Sequence, residues 1–211
     1  WQADDMKKEA TALAETFRTR RATILQGYGA VLREFDPLVA AWKFEAAQSA
    51  ATDAAGKAGE PVLRALLEGK AADAAAMLLA LDRVVAGAQA EQAKAATGDG
   101  KILLQRSIGA RLKATIDNPT RAGLHVEMLG HKGPLPWSEI HMEQIAAFAA
   151  GAPGKASSAE RHGLGLIALS AGAFRIGFDE FKAAVEADAQ ALDGIVASLR
   201  RHAQGFVYLP A

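Results

Sequence analysis

Alanine dominates the apolar half of this chain, and that limits its fold more than any other feature. Large flat side chains are scarce, with eight Phe, three Trp and two Tyr in 211 residues. Alanine costs least in a helix and adds little to a sheet face. The expectation is therefore close-packed helices, in a chain long enough for one large or two small domains. Lys plus Arg equals Asp plus Glu at 24 each, so no global field draws the chain to nucleic acid or to an anionic membrane. The absence of cysteine removes disulfides, thiolate metal sites and thiol catalysis together. No apolar run reaches the length a membrane span needs. A start at Trp1 rather than methionine suggests a piece of a longer chain or a processed product.

Residues 1–97 read as helical. Met6, Ala10, Leu13, Phe17, Ile24, Tyr28, Val31 and Phe35 keep mostly three- and four-residue steps, with Lys7, Lys8, Glu15, Arg18 and Arg33 largely off the stripe. This predicts one long amphipathic helix ended by Asp36-Pro37. Its stripe suits either a coiled-coil dimer or packing on the next helix. A second helix is expected from Pro37 to about Ala55, with Trp42-Lys43-Phe44 marking a tight turn. Glu60-Pro61 restarts helix after Gly56 and Gly59, and Gly69 offers a point at which Val62 to Ala96 would split into a hairpin.

At Gly98 the period changes from helical to two, and residues 98–137 read as a small antiparallel β-meander. Its expected strands are Ile102 to Ile108; Leu112 to Ile116, closed by Asp117-Asn118-Pro119; Leu124 to Met128, ending at Gly130-His131-Lys132-Gly133; and a short fourth through Leu135. Residues 138–211 read as helical again. Ser138 is the expected cap of the first helix, Ser157 and Glu160 have capping-box spacing, and Phe206-Val207-Tyr208-Leu209 is a candidate edge strand. The fold class is thus mainly α with a small inserted antiparallel β-meander.

Between Arg161 and Ala189, the order Leu164, Gly165, Ala168, Gly172, Phe174, Gly177, Phe181 and Ala184 resembles a tetratricopeptide helical hairpin. The chain departs from that family at Arg161, Ala168, Gly177 and Ala189. The resemblance implies two antiparallel helices held close by small residues, with Phe174 and Phe181 filling the gap. It also implies a concave face that binds a peptide or a partner domain. Looser echoes occur at Trp42 to Ala51 and Leu66 to Ala71. The order of parts is also similar to uncharacterised regions that follow the membrane span in some bacterial serine/threonine kinases and their companion proteins, which would tether the full-length protein. No kinase motif accompanies it.

Chemistry-bearing patterns are sparse. Glu139, His141 and Glu143 are the best metal-ligand set, but on a regular helix His141 points away from Glu139, so a solvated helix start is favoured and no metal is expected. Gly151-Ala152-Pro153-Gly154-Lys155-Ala156-Ser157 has Ala156 where a phosphate-binding loop needs a hydroxyl, and it follows a helix instead of a strand. No serine sits in a Gly-x-Ser-x-Gly elbow. His162 and His202 read as surface or capping residues. Arg18, Arg20 and Arg21 spread around their helix without interleaved aromatics, unlike a nucleic-acid stripe. The expectation is a non-catalytic interaction or scaffolding module without cofactor, binding a protein or peptide. Phe174, Phe178 and Phe181 are its test positions, and Phe178 is least constrained by the hairpin. A ligand-sensing or extracytoplasmic domain is the competing class, with a pocket between sheet and helices near Trp137 and His141.

Overall fold

Helix α3 (Pro61–Ala95) is the element on which the others are laid. The computed structural model describes residues 2–109 and 111–208, with side chains from 4 to 109 and from 111 to 203. Around α3 lie α1 (Gln2–Ala40), α2 (Phe44–Lys57), α4 (Met142–Gly151), α5 (Ser158–Ser170), α6 (Phe174–Ala187) and α7 (Ala191–Tyr208). A four-stranded antiparallel meander in the order β1 (Ile102–Gln105), β2 (Arg111–Thr120), β3 (Gly123–Met128) and β4 (His131–Leu135) is inserted between α3 and α4. The protein is mainly α with a small inserted antiparallel β-meander, as its sequence predicts.

Glu60 caps α3 by accepting from the Val62 amide, and Pro61 occupies the first turn, where its missing N–H costs nothing. Gly69 does not split the helix. Leu67, Lys70, Ala74, Met77, Leu81, Val84 and Ala88 form one buried stripe through it, and tertiary burial overrides the local cost of glycine. Two other glycines set the spacing around this spine. A Cβ on Gly87 would lie 1.7 Å from the Phe148 carbonyl oxygen of α4, and one on Gly163 of α5 would lie 1.9 Å from the Ala76 carbonyl oxygen of α3. These helices meet backbone to backbone, which is how an alanine-lined core is filled without large side chains.

Helix α1 runs through Pro37 instead of ending at Asp36. Arg33, Asp36 and Pro37 are exposed while Tyr28, Leu32, Phe35 and Val39 are buried, so the Arg33 carbonyl that proline leaves without a donor faces water. The helix ends three residues later, and α2 begins at Phe44 instead of Pro37. Trp42 takes a left-handed backbone (φ 60°), its amide bonds the Val39 carbonyl at 2.9 Å, and the Lys43 amide bonds that of Leu38 at 2.8 Å. This is a Schellman turn with tryptophan where glycine is usual. The turn recurs between α5 and α6. Gly172 (φ 73°) bonds Leu169 at 3.0 Å and Ala173 bonds Ala168 at 2.8 Å.

In the sheet, Ile102, Leu104, Ala114, Ile116, Leu124, Val126 and Leu135 are buried. Asp117-Asn118-Pro119 does not close β2. The register shifts between Asp117 and Thr120, with Asn118 left-handed (φ 48°), so these turn-formers are absorbed as a bulge. The β3–β4 turn falls at Leu129-Gly130, both at positive φ, and His131 already belongs to β4.

Ser138 is not a helix cap. The Ser107 amide bonds the Glu139 carbonyl at 2.7 Å and the His141 amide bonds that of Gln105 at 3.0 Å, which holds the chain extended at Ile140. A short 3-10 turn, Trp137–Glu139, comes first, and His141 caps α4. The Ser157–Glu160 capping box is present at the start of α5. Phe206 to Tyr208 continue α7 instead of forming an edge strand, while Leu209 and Pro210 lie outside the described residues.

One hydrophobic cluster joins Phe35, Leu81, Leu104, Trp137, Phe148 and Phe181, and so draws on all three sequence regions. A smaller one joins Tyr28, Leu32, Ala55 and Leu67. No helix among the described residues is long and apolar enough to cross a membrane.

Candidate functional site

Both Schellman turns open onto one cleft of about 800 Å³. The α1–α2 turn contributes Val39, Trp42 and Phe44, and the α5–α6 turn contributes Gly172, Phe174, Arg175 and Ile176. The third wall, from the β1 end and the start of α4, carries Ser107, Ile140, His141 and Glu143. Trp42 lies against Phe44 with ring centroids 5.6 Å apart. Phe174 is 59% exposed, and Phe178, one turn further along α6 on the same face, is 56% exposed. Phe174 therefore does not fill the hairpin gap. Phe181 alone does so, at 5% exposure, with a ring atom 2.4 Å from where a Cβ on Gly165 would stand.

The cleft mixes this apolar surface with a few polar heads. His141 Nδ1 accepts from the Glu143 amide at 3.3 Å, which places the ring proton on Nε2 and leaves that N–H for a bound group. Glu143 is 3.9 Å from Arg111, and Glu139 pairs with Arg106 outside the cleft lining. Each carboxylate of the Glu139, His141, Glu143 set thus has its own partner. Arg175 has no ion-pair partner among the described residues, and it is the cation of the cleft. Trp137 is not in the lining. At 1% exposure it sits between sheet and helices, its Nε1 donating to the Thr120 carbonyl at 2.9 Å and its ring edge-on to Phe148.

A second constellation lies buried where α7 meets α3 and α5. Ser198 Oγ donates to Asp73 Oδ1 at 2.6 Å, and His162 Nε2 is 3.1 Å from the same Oγ. Arg201 clamps Asp73 through Nε at 3.0 Å and Nη2 at 2.6 Å, and Nη2 also reaches Ser198 Oγ at 3.0 Å. Serine, histidine and aspartate here have the composition of a nucleophilic triad but not its wiring. The serine proton is committed to Asp73, so both serine lone pairs accept, from His162 Nε2–H and from Arg201. Ser198 is 1% exposed. Burial lowers the affinity of His162 for a proton, with Arg201 opposing protonation further and Asp73 partly offsetting both. Nearby, burial lowers the pKa of Lys70, whose Nζ lies 5.3 Å from the Phe35 ring centroid, and raises that of Tyr28.

No protein family, curated protein or solved structure matches this chain. Of the positions marked by sequence, the fold brings Phe174 and His141 into the cleft and puts Phe178 beside it, while Phe181 and Trp137 belong to the core. Sequence reasoning missed Trp42 and Arg175 as lining residues, and missed the Asp73, Ser198, Arg201 knot altogether. One signal was available for the knot, because Lys70 and Asp73 fall on the apolar stripe of α3, where a charged side chain needs a buried partner.

Proposed function

We propose that this protein is a non-catalytic interaction module whose cleft takes a short extended segment of a partner, one with a large apolar side chain beside an acidic group. The observation that carries the reading is the convergence of two helical-hairpin turns on one cleft, with Trp42, Phe174 and Phe178 presented around it. Exposed aromatics at a concave surface are the usual anchors of binding energy. Arg175 supplies the complement to a carboxylate and His141 Nε2–H a directional donor. The tetratricopeptide likeness agrees with this reading, since both hairpins share a turn and Phe181 closes over a glycine. The sensing alternative, a pocket near Trp137 and His141, keeps its His141 side alone, because the Trp137 indole is buried between sheet and helices while His141 lines the open cleft.

The test is a random-peptide library selected on the immobilised chain, followed by titration of the enriched peptide. Selected peptides are expected to share an apolar anchor and an acidic residue. Phe174→Ala should weaken binding by about 30-fold, the equivalent of about 2 kcal/mol for an aromatic anchor. Phe178→Ala should weaken it less. Both variants should keep the helical circular-dichroism signal, because neither side chain is in the core. Failure to enrich any peptide, or enrichment of one that binds both variants like the parent, overturns the reading.

A further inference from the structure

We propose that α7 is an acid-released strap: it lies against α3 and α5 while His162 and His202 are neutral, and lifts away when the two rings take up protons, leaving α3 to α5 folded. The attachment is built into α3 as well as into α7. Arg201 crosses α3 at Gly69, where an added Cβ would stand 2.8 Å from the Cδ, Nε and Cζ of that arginine. The glycine that α3 tolerates thus makes the channel for this side chain. Beyond it, Asp73 accepts from Arg201 at both carboxylate oxygens and from the Ser198 hydroxyl at Oδ1.

This arrangement has no acceptor set aside for another cation. His162, on α5, reaches Asp73 only through Ser198, whose Oγ lies 3.1 Å from His162 Nε2 and 3.0 Å from Arg201 Nη2. A protonated His162 and the Arg201 guanidinium would therefore face each other across one neutral oxygen. From α6 the ring meets Phe181, which is uncharged. His202, on α7, faces Lys70 and Asp73 of α3 and Asp36 of α1. Tyr28 of α1 stays neutral, since burial raises its pKa. With both rings neutral, Lys70 and Arg201 balance Asp36 and Asp73. Two added protons set four cations against the same two carboxylates. Burial holds the pKa of both histidines below the ordinary 6.5, so the attached strap is complete above about pH 6.5 and loses ground as the pH falls below it. Release of α7 suffices to relieve the charge, because it opens both rings to water. The contact of α3 with α5 does not depend on these groups, since it is made at Gly163 and through apolar side chains.

Amide exchange on the whole chain, read as protection relative to the intrinsic rate, tests this at about pH 7.5 and about pH 5.5. Protection across 191–203 should fall by up to about tenfold per pH unit for each histidine that titrates, while α3 to α5 keep theirs. The double variant His162→Gln, His202→Gln replaces both titrating rings by neutral amides, and its protection across 191–203 should be alike at the two pH values. Gly69→Ala sets a methyl group against Arg201, so it should loosen 191–203 already at the higher pH. The parent chain alone is decisive if a variant fails to fold. Equal protection of 191–203 at the two pH values, or a loss shared by α3 to α5, overturns the proposal. So does a folded double variant that keeps the parent's pH dependence, or a Gly69→Ala chain whose 191–203 is as protected as the parent's.

Discussion

At the scale of single residues, the tightest constraints are on side chains that are missing. Gly163 brings α5 onto α3 at a distance that leaves no space for a methyl group, because the group in the way is the Ala76 carbonyl and cannot rotate aside. Gly163→Ala should therefore cost about 2 kcal/mol or more, as overpacked cores do. The check is a lowered urea midpoint at unchanged slope. Gly56→Ala serves as a control, since nothing lies within 4 Å of its added Cβ. Proton affinity is constrained at the same scale. Burial pushes the pKa of His162 below its ordinary value of 6.5, and that of His202 likewise. The unfolded chain therefore takes up these protons first on acidification. Their contribution to stability is complete above about pH 6.5 and is lost as the pH falls below that value. The melting temperature should decline as the pH is lowered through about 6.5. His162→Gln should flatten that decline, and an equal slope in the variant would show that other groups dominate.

At the scale of elements, the two hairpins are variations on one turn. Lys43 and Ala173, the residues before α2 and α6, have backbone angles of −89°, 58° and −87°, 60°. Counted from that turn, Phe35 and Ala51 occupy the positions of Gly165 and Phe181, so the bulky residue has moved from one helix of the pair to the other. All four are buried. The turns differ in one respect, since Trp42 holds the left-handed position that Gly172 fills in the other hairpin. A left-handed backbone costs a non-glycine residue roughly 1–2 kcal/mol. Trp42→Gly relieves that strain and loses the contact with Phe44, so a stability change within about 1 kcal/mol is expected. Binding of a selected peptide should fall markedly, because the indole lines the cleft. Parallel denaturant and peptide titrations separate the two effects. These elements also show where sequence was legible. The period-two alternation of Ile102, Leu104, Ala114, Ile116, Leu124 and Val126 marks the buried positions of the sheet, and the helix-period stripes mark α1 and α3. What misled was punctuation. Pro37 and Gly69 lie in helices held by their buried faces, and Asn118-Pro119 is absorbed by a bulge. The cleft was not legible, because its walls come from three helix-turn segments and a strand end that are separate in sequence, and only the fold makes neighbours of Trp42, His141 and Phe174.

At the scale of the whole molecule, the polar knot decides how the last helix is attached. Among its described side chains, helix α7 gives Ile195 to the large buried cluster and packs Ala191 and Leu199 against it, and Ser198 is buried as a polar group. Among its described residues, Ser198 and Arg201 fix it on Asp73, with side-chain exposures of 15% for Arg201 and 7% for Asp73. A buried pair of this kind adds little over a well-packed apolar contact, but removing one partner leaves the other charge stranded. Asp73→Ala strands the Arg201 guanidinium and leaves the Ser198 hydroxyl without an acceptor. The expected cost is about 3–5 kcal/mol. Because Ser198 and Arg201 join α7 to α3 through Asp73, much of that loss should appear as local release of α7. Amide exchange should speed up first in 191–203, and limited proteolysis should cut at the α6–α7 junction near Asp188 while α3 to α5 stay protected. Asp73→Asn keeps an acceptor for Ser198 and a neutral hydrogen-bond partner for Arg201, so it should lose less. If Asp73→Ala instead unfolds the chain in one cooperative step with no early exposure of α7, the knot holds together the α3–α5 core and is not the fastening of a terminal helix.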